Sequence, residues 1–336
     1  MLKKKVRIED VARLAGVSTT TVSRVINKVP TVNQTNLLRV EEAVRKLKFR
    51  PNISAQRLAG GKKGTIGLVI PRFEGIFYSF YAIEIIRGIG TICDAKRLDL
   101  LLHLANGTTA VNLASIDGII FSDILGNINQ LKEALREDVP CVVINNLIQD
   151  MDVACVSIDN KKGAKEAVDY LISLGHRRIG HISGDLKTQA ARQRLEGFKE
   201  ALANERIISD SEFIKTSDYS RHSARTATLE LLKLTHPPTA IFVASDDMAK
   251  EAIEVIMEKG LKVPADISVI GFDDNPVGCF GPVALSTVRQ PLIEMCQHAV
   301  KELTREINSK TKEKTNKLIL PTKLIVRDST GHPKAV

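Results

Sequence analysis

Residues 18 to 24 read Ser-Thr-Thr-Thr-Val-Ser-Arg, five hydroxyls and one guanidinium inside about two helical turns. Hydroxyls donate or accept, and a guanidinium presents a fixed fork of donors, so this stretch is equipped to bond a polar surface. Threonine is β-branched and loses χ1 freedom in a helix, so three in succession need a reason. At a helix start the cost is smaller, and the hydroxyls can be spent outside the helix. Ser18 is a good N-cap for such a helix.

Other patterns that carry chemistry are missing. No strand-like run is followed by GxGxxG; the nearest, Gly-Ile-Gly at 88–90, lacks the third glycine. GGKKGT at 60–65 has the wrong spacing for a phosphate-binding loop and reads as a flexible basic linker. GxSxG and HExxH are absent, so an enzyme is not supported. Asp273 and Asp274 as an acid/base carboxylate pair is a weaker reading than a ligand acceptor at Asp273. The five cysteines form no CxxC pair, which speaks against structural zinc and for a reduced cytoplasmic setting. No cofactor is expected.

The elements that must position Ser18–Arg24 are legible. Ile8, Val11, Ala12 and Ala15 share one helix face. Gly16 can take the turn. A second helix buries Val22, Val25 and Ile26. Asn33 can cap a third, with Leu37, Val40, Val44 and Leu47 inward, and Pro51 stops it at or before Arg50. Small Ala12, Gly16 four residues on and Val22 six further give helix-turn-helix spacing, whose second helix lies in the major groove.

Charge agrees. Residues 1–63 hold 15 Lys/Arg against 4 Asp/Glu, a net of +11, while the remaining 33 basic and 35 acidic residues net −2. One small domain therefore meets a polyanion and the rest does something else. No apolar run reaches the ~18 residues of a membrane span, and MLKKKVRIEDVARLAG lacks the apolar core of a secretion signal.

The run RIEDVARLAGVSTTTVSRVINKVPTVN…RVEEAVRKLKFRPNISAQRLAGG resembles the DNA-binding head and hinge of LacI/GalR-family transcriptional regulators. The resemblance departs at Asn36 and Leu37, where the family usually has Thr-Arg. It implies base reading by Thr19, Thr20 and Arg24, and backbone contacts by Thr21 and Ser23. Arg7, Ser18, Asn27 and Asn52 are further expected DNA contacts. Residues 51–63 are implied to be a hinge that folds on operator DNA, with Leu58 as a minor-groove wedge beside Ala55 and Gln56. A helix that short does not stand alone in water, so binding must supply the cost of ordering it.

From Thr65 the texture alternates strand and helix: TIGLVI, DGIIF, PCVVIN, CVSID, RIGHISG, AIFVAS and ISVIGF are separated by amphipathic stretches. That predicts an α/β fold with parallel sheets covered on both faces. The resemblance continues through residues 65–329 and implies a two-lobed, periplasmic-binding-protein-like (type I) domain behind the small all-α head. Lobe 1 would hold about 64–159 and 290–320, and lobe 2 about 160–289 and 321–330, with crossovers near Asp159, Gln290 and Leu320. A small-molecule effector, commonly a carbohydrate, would lie between them. Arg194, Tyr219 and Asp273 match effector contacts in the family, and Asn145, Ser245 and Tyr78 are further candidates. One departure is structural. LLLHLANGTTAVNLASIDGIIF joins two strands in about a dozen residues, where the family usually has a full helix.

These readings predict a cytoplasmic homodimer on double-stranded operator DNA, most simply a repressor, with no membrane partner and no tetramerising coiled coil. Two rivals stay open: a DNA-binding regulator without an effector, and a solute-binding protein.

Overall fold

A computed structural model describes residues 6–26, 32–49, 63–72, 76–106, 109–309 and 315–334. Contacts divide the chain into two units, Met1–Gly64 and Thr65–Val336.

In the first unit, α1 (Ile8–Ala15), α2 (Thr19–Ile26) and α3 (Gln34–Leu47) surround one small core. Val11, Ala12, Ala15, Val22, Val25, Val40 and Ala43 are its buried members. The end of α1 follows from one residue. Gly16 adopts φ +66°, a left-handed conformation that costs glycine little, and the chain reverses there. Asn33 caps α3 by accepting from the Asn36 N–H at 2.8 Å. On α3 the inward face is Val40 and Ala43, with Leu37, Val44 and Leu47 only partly buried.

The second unit contains two parallel sheets. The larger is built from β1 (Thr65–Pro71), β2 (Asp99–Ala105), β3 (Gly118–Phe121), β4 (Cys141–Ile144), β5 (Ala154–Ile158) and β11 (Lys317–Leu320). Its order is β11-β5-β4-β3-β1-β2. The smaller has β6 (Ile179–Ile182), β7 (Ile214–Lys215), β8 (Ala240–Val243) and β9 (Ser268–Ile270), in the order β7-β6-β8-β9. β10 (Thr287–Arg289) and β12 (Lys323–Ile325) form an antiparallel ribbon.

Helices cover the sheets as strands buried on both faces require. In the first lobe these are α4 (Phe80–Ala95), α5 (Ile128–Arg136) and α10 (Leu292–Asn308), with α10 packed on α4 and on β3, β4 and β5. In the second lobe α6 (Asn160–Ser173) packs on α7 (Gln189–Asn204), and α8 (Arg221–Leu232) on α9 (Asp246–Glu258). β1, β3, β4, β5, β6, β8 and β9 are the seven apolar runs read from the sequence. The chain passes between lobes after β5, at Gln290 and between β11 and β12.

The short β2–β3 connection carries only a 3-10 turn at Leu113–Ser115 among its described residues. On the edge strand β2, Leu101 and Leu102 are exposed, at 39% and 38%.

Candidate DNA-contacting helix and interlobe cleft

In the head, the Ser18 hydroxyl accepts from the Thr21 N–H at 3.1 Å, which fixes the start of α2. Val22 and Val25 face the core. The opposite face presents Thr19, Thr20 and Arg24, all exposed, and Ser18 is exposed beside them. Thr21 is different: it is half-buried and its hydroxyl pairs with Ser18 Oγ at 3.0 Å, so part of its bonding capacity is used inside the helix cap. Arg7 is exposed at the start of α1, where its N–H donates to Asp10 at 2.9 Å. Ser23 is half-buried. Asn27, Asn52, Ala55, Gln56 and Leu58, and the hinge up to Lys62, lie outside the described residues.

In the second unit, strand ends converge on a cleft. Arg194 projects from α7 and is buried at 4% exposure. Its Nε donates to Asn160 Oδ1 at 2.9 Å and its Nη1 to the Ala244 carbonyl at 2.6 Å. The guanidinium lies over the Phe272 ring, 3.7 Å from its centre. Asp273 follows β9, held at φ +130° and bonded by Gln290 Nε2 at 2.5 Å. Burial raises the Asp273 carboxyl to about 7, although Arg194 and the Gln290 amide pull it down.

Tyr219 also has a left-handed backbone, φ +69°. Its ring occupies the space beside Gly184: a Cβ on that glycine would sit 2.0 Å from the ring. Asn145, at φ +67° after β4, donates through Nδ2 to Asp123 at 3.1 Å. Burial raises the Asp123 carboxyl, against the lowering pull of the Asn145 bond. Tyr81 donates its hydroxyl to the Ser122 carbonyl at 2.6 Å. Asp123, Arg194 and Asp273 each act electrostatically on both Tyr81 and Tyr219, so groups from both lobes share one space.

The structure thus brings Arg194, Tyr219, Asp273 and Asn145 together. Two expected contacts differ. Ser245 is the N-cap of α9, accepting from Met248 N–H at 3.4 Å, so its first duty is local. Tyr78 is 90% exposed on a 3-10 turn before α4 and is outside the cleft's buried set. Tyr81, three residues on and inside α4, turns inward instead. Asp123 and Asn160 are not legible as site residues in the sequence; polar residues just beyond the apolar runs GIIF and CVSI were the available signal.

The lobes also touch directly. Gln189, the first residue of α7, accepts from Leu147 N–H at 2.7 Å and donates to the Leu147 carbonyl at 3.1 Å. Phe80 N–H points to Asp247 at 3.5 Å. A separate surface cavity of about 1040 Å³ is lined by Asp152, Glu302, Arg305 and Lys317. It lies at the amino-terminal ends of β5 and β11, whereas open α/β sheets take ligands at the carboxyl ends.

Residues 7–52 match the family described as bacterial regulatory proteins, lacI family, and residues 168–330 match the periplasmic binding protein-like domain. Over 331 residues the chain is 35% identical to the probable HTH-type transcriptional repressor ExuR of Bacillus subtilis, covering 96% of this chain and 98% of that one. The chain belongs to the LacI family. Catabolite control protein A of Priestia megaterium, another relative, is 33% identical over 97% of this chain and 99% of its own. Among solved structures, the lac repressor dimer bound to operator and an anti-inducer superposes with a TM-score of 0.83 at 27% identity, over 98% of this chain and 100% of that one. A complex of the transcriptional regulator CelR with cellobiose gives 0.74 at 28% identity, over 96% and 99%.

As a LacI-family member this chain is a DNA-binding transcriptional regulator with a periplasmic-binding-protein-like domain, and it is not an enzyme. Among the described residues no helix is long and apolar enough to cross a membrane.

Proposed function

We infer that the protein is an operator-binding repressor that works as a homodimer and answers to a sugar or sugar derivative held between its lobes. The observation that carries this reading is the cleft, where Arg194, Asp273, Tyr219 and Asn145 from two lobes share one space lined by polar side chains. Such a site takes a small polar molecule. Thr19, Thr20 and Arg24 would read base edges, and Arg7, Ser18, Thr21 and Ser23 would meet the backbone. A twofold pair of heads fits a palindromic site.

The cleft ligand would set the angle between the lobes. That angle would set the spacing of the two hinges, and the spacing would decide whether they fold on DNA. By linkage, the ligand changes operator affinity by the same factor as the operator changes ligand affinity. The test is a thermal-shift screen of sugars, nucleosides and sugar phosphates, followed by operator titration with each hit. A compound that stabilises the protein and shifts operator affinity supports the reading. No shift with any compound favours a regulator without an effector.

A further inference from the structure

We propose that Asn160 is a positioning residue that passes ligand occupancy from Arg194 to the crossovers between the lobes. This rests on the cleft being the effector site, and it concerns how that site reaches the rest of the chain.

Arg194 is held on three sides. Its Nη1 donates to the Ala244 carbonyl at 2.6 Å, and its guanidinium lies 3.7 Å from the centre of the Phe272 ring. Ala244 follows β8 and Phe272 follows β9, so both contacts stay inside the second lobe. The third side differs. Nε donates to Asn160 Oδ1 at 2.9 Å, and Asn160 is the first residue of α6, where the chain has just crossed from β5.

Asn160 has 0% exposure. A guanidinium only donates, so the amide turns its oxygen to Arg194. Its NH₂ is buried without a hydrogen-bond partner. The Arg194 bond is therefore what orients this side chain. A buried, charge-assisted bond of this kind is costly to leave unmade.

The chain around Asn160 gathers all three crossovers. The Asp159 N–H donates to the Leu320 carbonyl at 3.4 Å, which joins the first crossover to the third. Along α6, a Cβ at Gly163 would lie 2.6 Å from Thr322 Oγ1 and 3.2 Å from Val288 Cγ1. Thr322 lies between β11 and β12, and Val288 lies in β10, which leads to the second crossover at Gln290. α7 is seated on the same turn: a Cβ at Gly197 would lie 2.1 Å from the Lys161 carbonyl oxygen. No side chain cushions that contact, so a shift of Arg194 and its helix is delivered to residues 160–163. Asp273 has a bond of its own to the second crossover, from Gln290. Loss of the Asn160 bond should therefore weaken the coupling rather than erase it.

The experiment uses the full chain, an operator selected from random duplexes, and the compound that raises the unfolding temperature most among the sugars, nucleosides and sugar phosphates screened. Two quantities are read separately. One is the compound concentration at half-saturation, by thermal shift. The other is the factor by which saturating compound changes operator affinity. Asn160→Leu and Asn160→Ala both remove the acceptor, the first without loss of bulk, and Asn160→Asp keeps it. In wild type the factor should be at least about tenfold, and in both apolar variants it should fall below about threefold. Half-saturation should stay within about tenfold of wild type, and operator affinity without compound should be unchanged. Asn160→Asp should restore the factor. If one apolar variant does not fold, the other decides. A full factor in a folded apolar variant overturns the proposal and leaves the effector site standing. Failure of Asn160→Asp to restore the factor overturns it too, since Asn160 would then serve by packing or by its NH₂. If no compound shifts wild type, the effector reading falls and this proposal with it.

Discussion

Gln189 holds Leu147 across the cleft with both ends of its amide, its oxygen accepting from the Leu147 N–H at 2.7 Å and its NH₂ donating to the Leu147 carbonyl at 3.1 Å. Gln189 begins α7 in the second lobe, and Leu147 follows β4 in the first. The pair therefore tethers the lobes without belonging to the polar cluster around Arg194 and Asp273. Gln189→Ala should remove two bonds worth about 1 kcal/mol each and let the lobes part. Small-angle scattering of the variant should report a larger radius of gyration, and ligand affinity should fall several-fold. An unchanged scattering curve would show that the tether does not set the lobe angle.

Gly184 and Tyr219 make a second testable pair. The tyrosine ring fills the place of a side chain at Gly184. Gly184→Ala should force the ring out of its seat and abolish the ligand response, leaving operator binding without ligand unchanged. A normal response in this variant would remove Tyr219 from the site.

Head stability and base reading should separate. Ser18→Ala and Asn33→Ala each delete a cap and should cost roughly 1 kcal/mol of head stability. Thr19→Ala and Thr20→Ala touch only exposed side chains, so they should alter the preferred operator sequence with little effect on unfolding. Denaturation of the head, compared with selection from a randomised duplex library, checks both.

His181 gives a pH prediction. It is fully buried in β6, stacked 5.0 Å from Phe198 and 4.9 Å from Phe242, and burial lowers it to about 4. Unfolded, a histidine titrates near 6.5. Between those values the unfolded chain binds the extra proton, so this group's contribution is whole above pH 6.5 and declines as pH falls toward 4. His181→Phe should remove that acid-side loss. The stability difference between wild type and variant should therefore change by about 3 kcal/mol between pH 7 and pH 4. A difference independent of pH would contradict the neutral buried ring.

Much of this architecture is legible in the chain because it rests on local rules. Gly16, Val22 and the caps Ser18 and Asn33 are short-range signals. The seven apolar strands are short continuous runs flanked by turns. The short β2–β3 connection is legible from length alone. The cleft is harder. Its residues come from strand ends far apart in sequence, so only resemblance brings Arg194 and Asp273 together beforehand. Tyr78 and Tyr81 show the limit: three residues decide which ring is inside, and that depends on where α4 begins. The Gln189–Leu147 tether depends on the relative placement of two lobes, which no local pattern encodes.

In the proposed function the head binds operator and the cleft controls that binding. The most direct test is an anisotropy titration of the full chain on an operator selected from random duplexes. It is run with and without the ligand found by thermal shift, for wild type and Arg194→Ala. Sequence-specific binding that weakens steeply with salt is expected, as phosphate contacts require. The ligand should shift affinity at least about tenfold for wild type. Arg194→Ala should bind operator equally well and ignore the ligand. Binding without sequence preference, or an Arg194→Ala protein that responds like wild type, would contradict it.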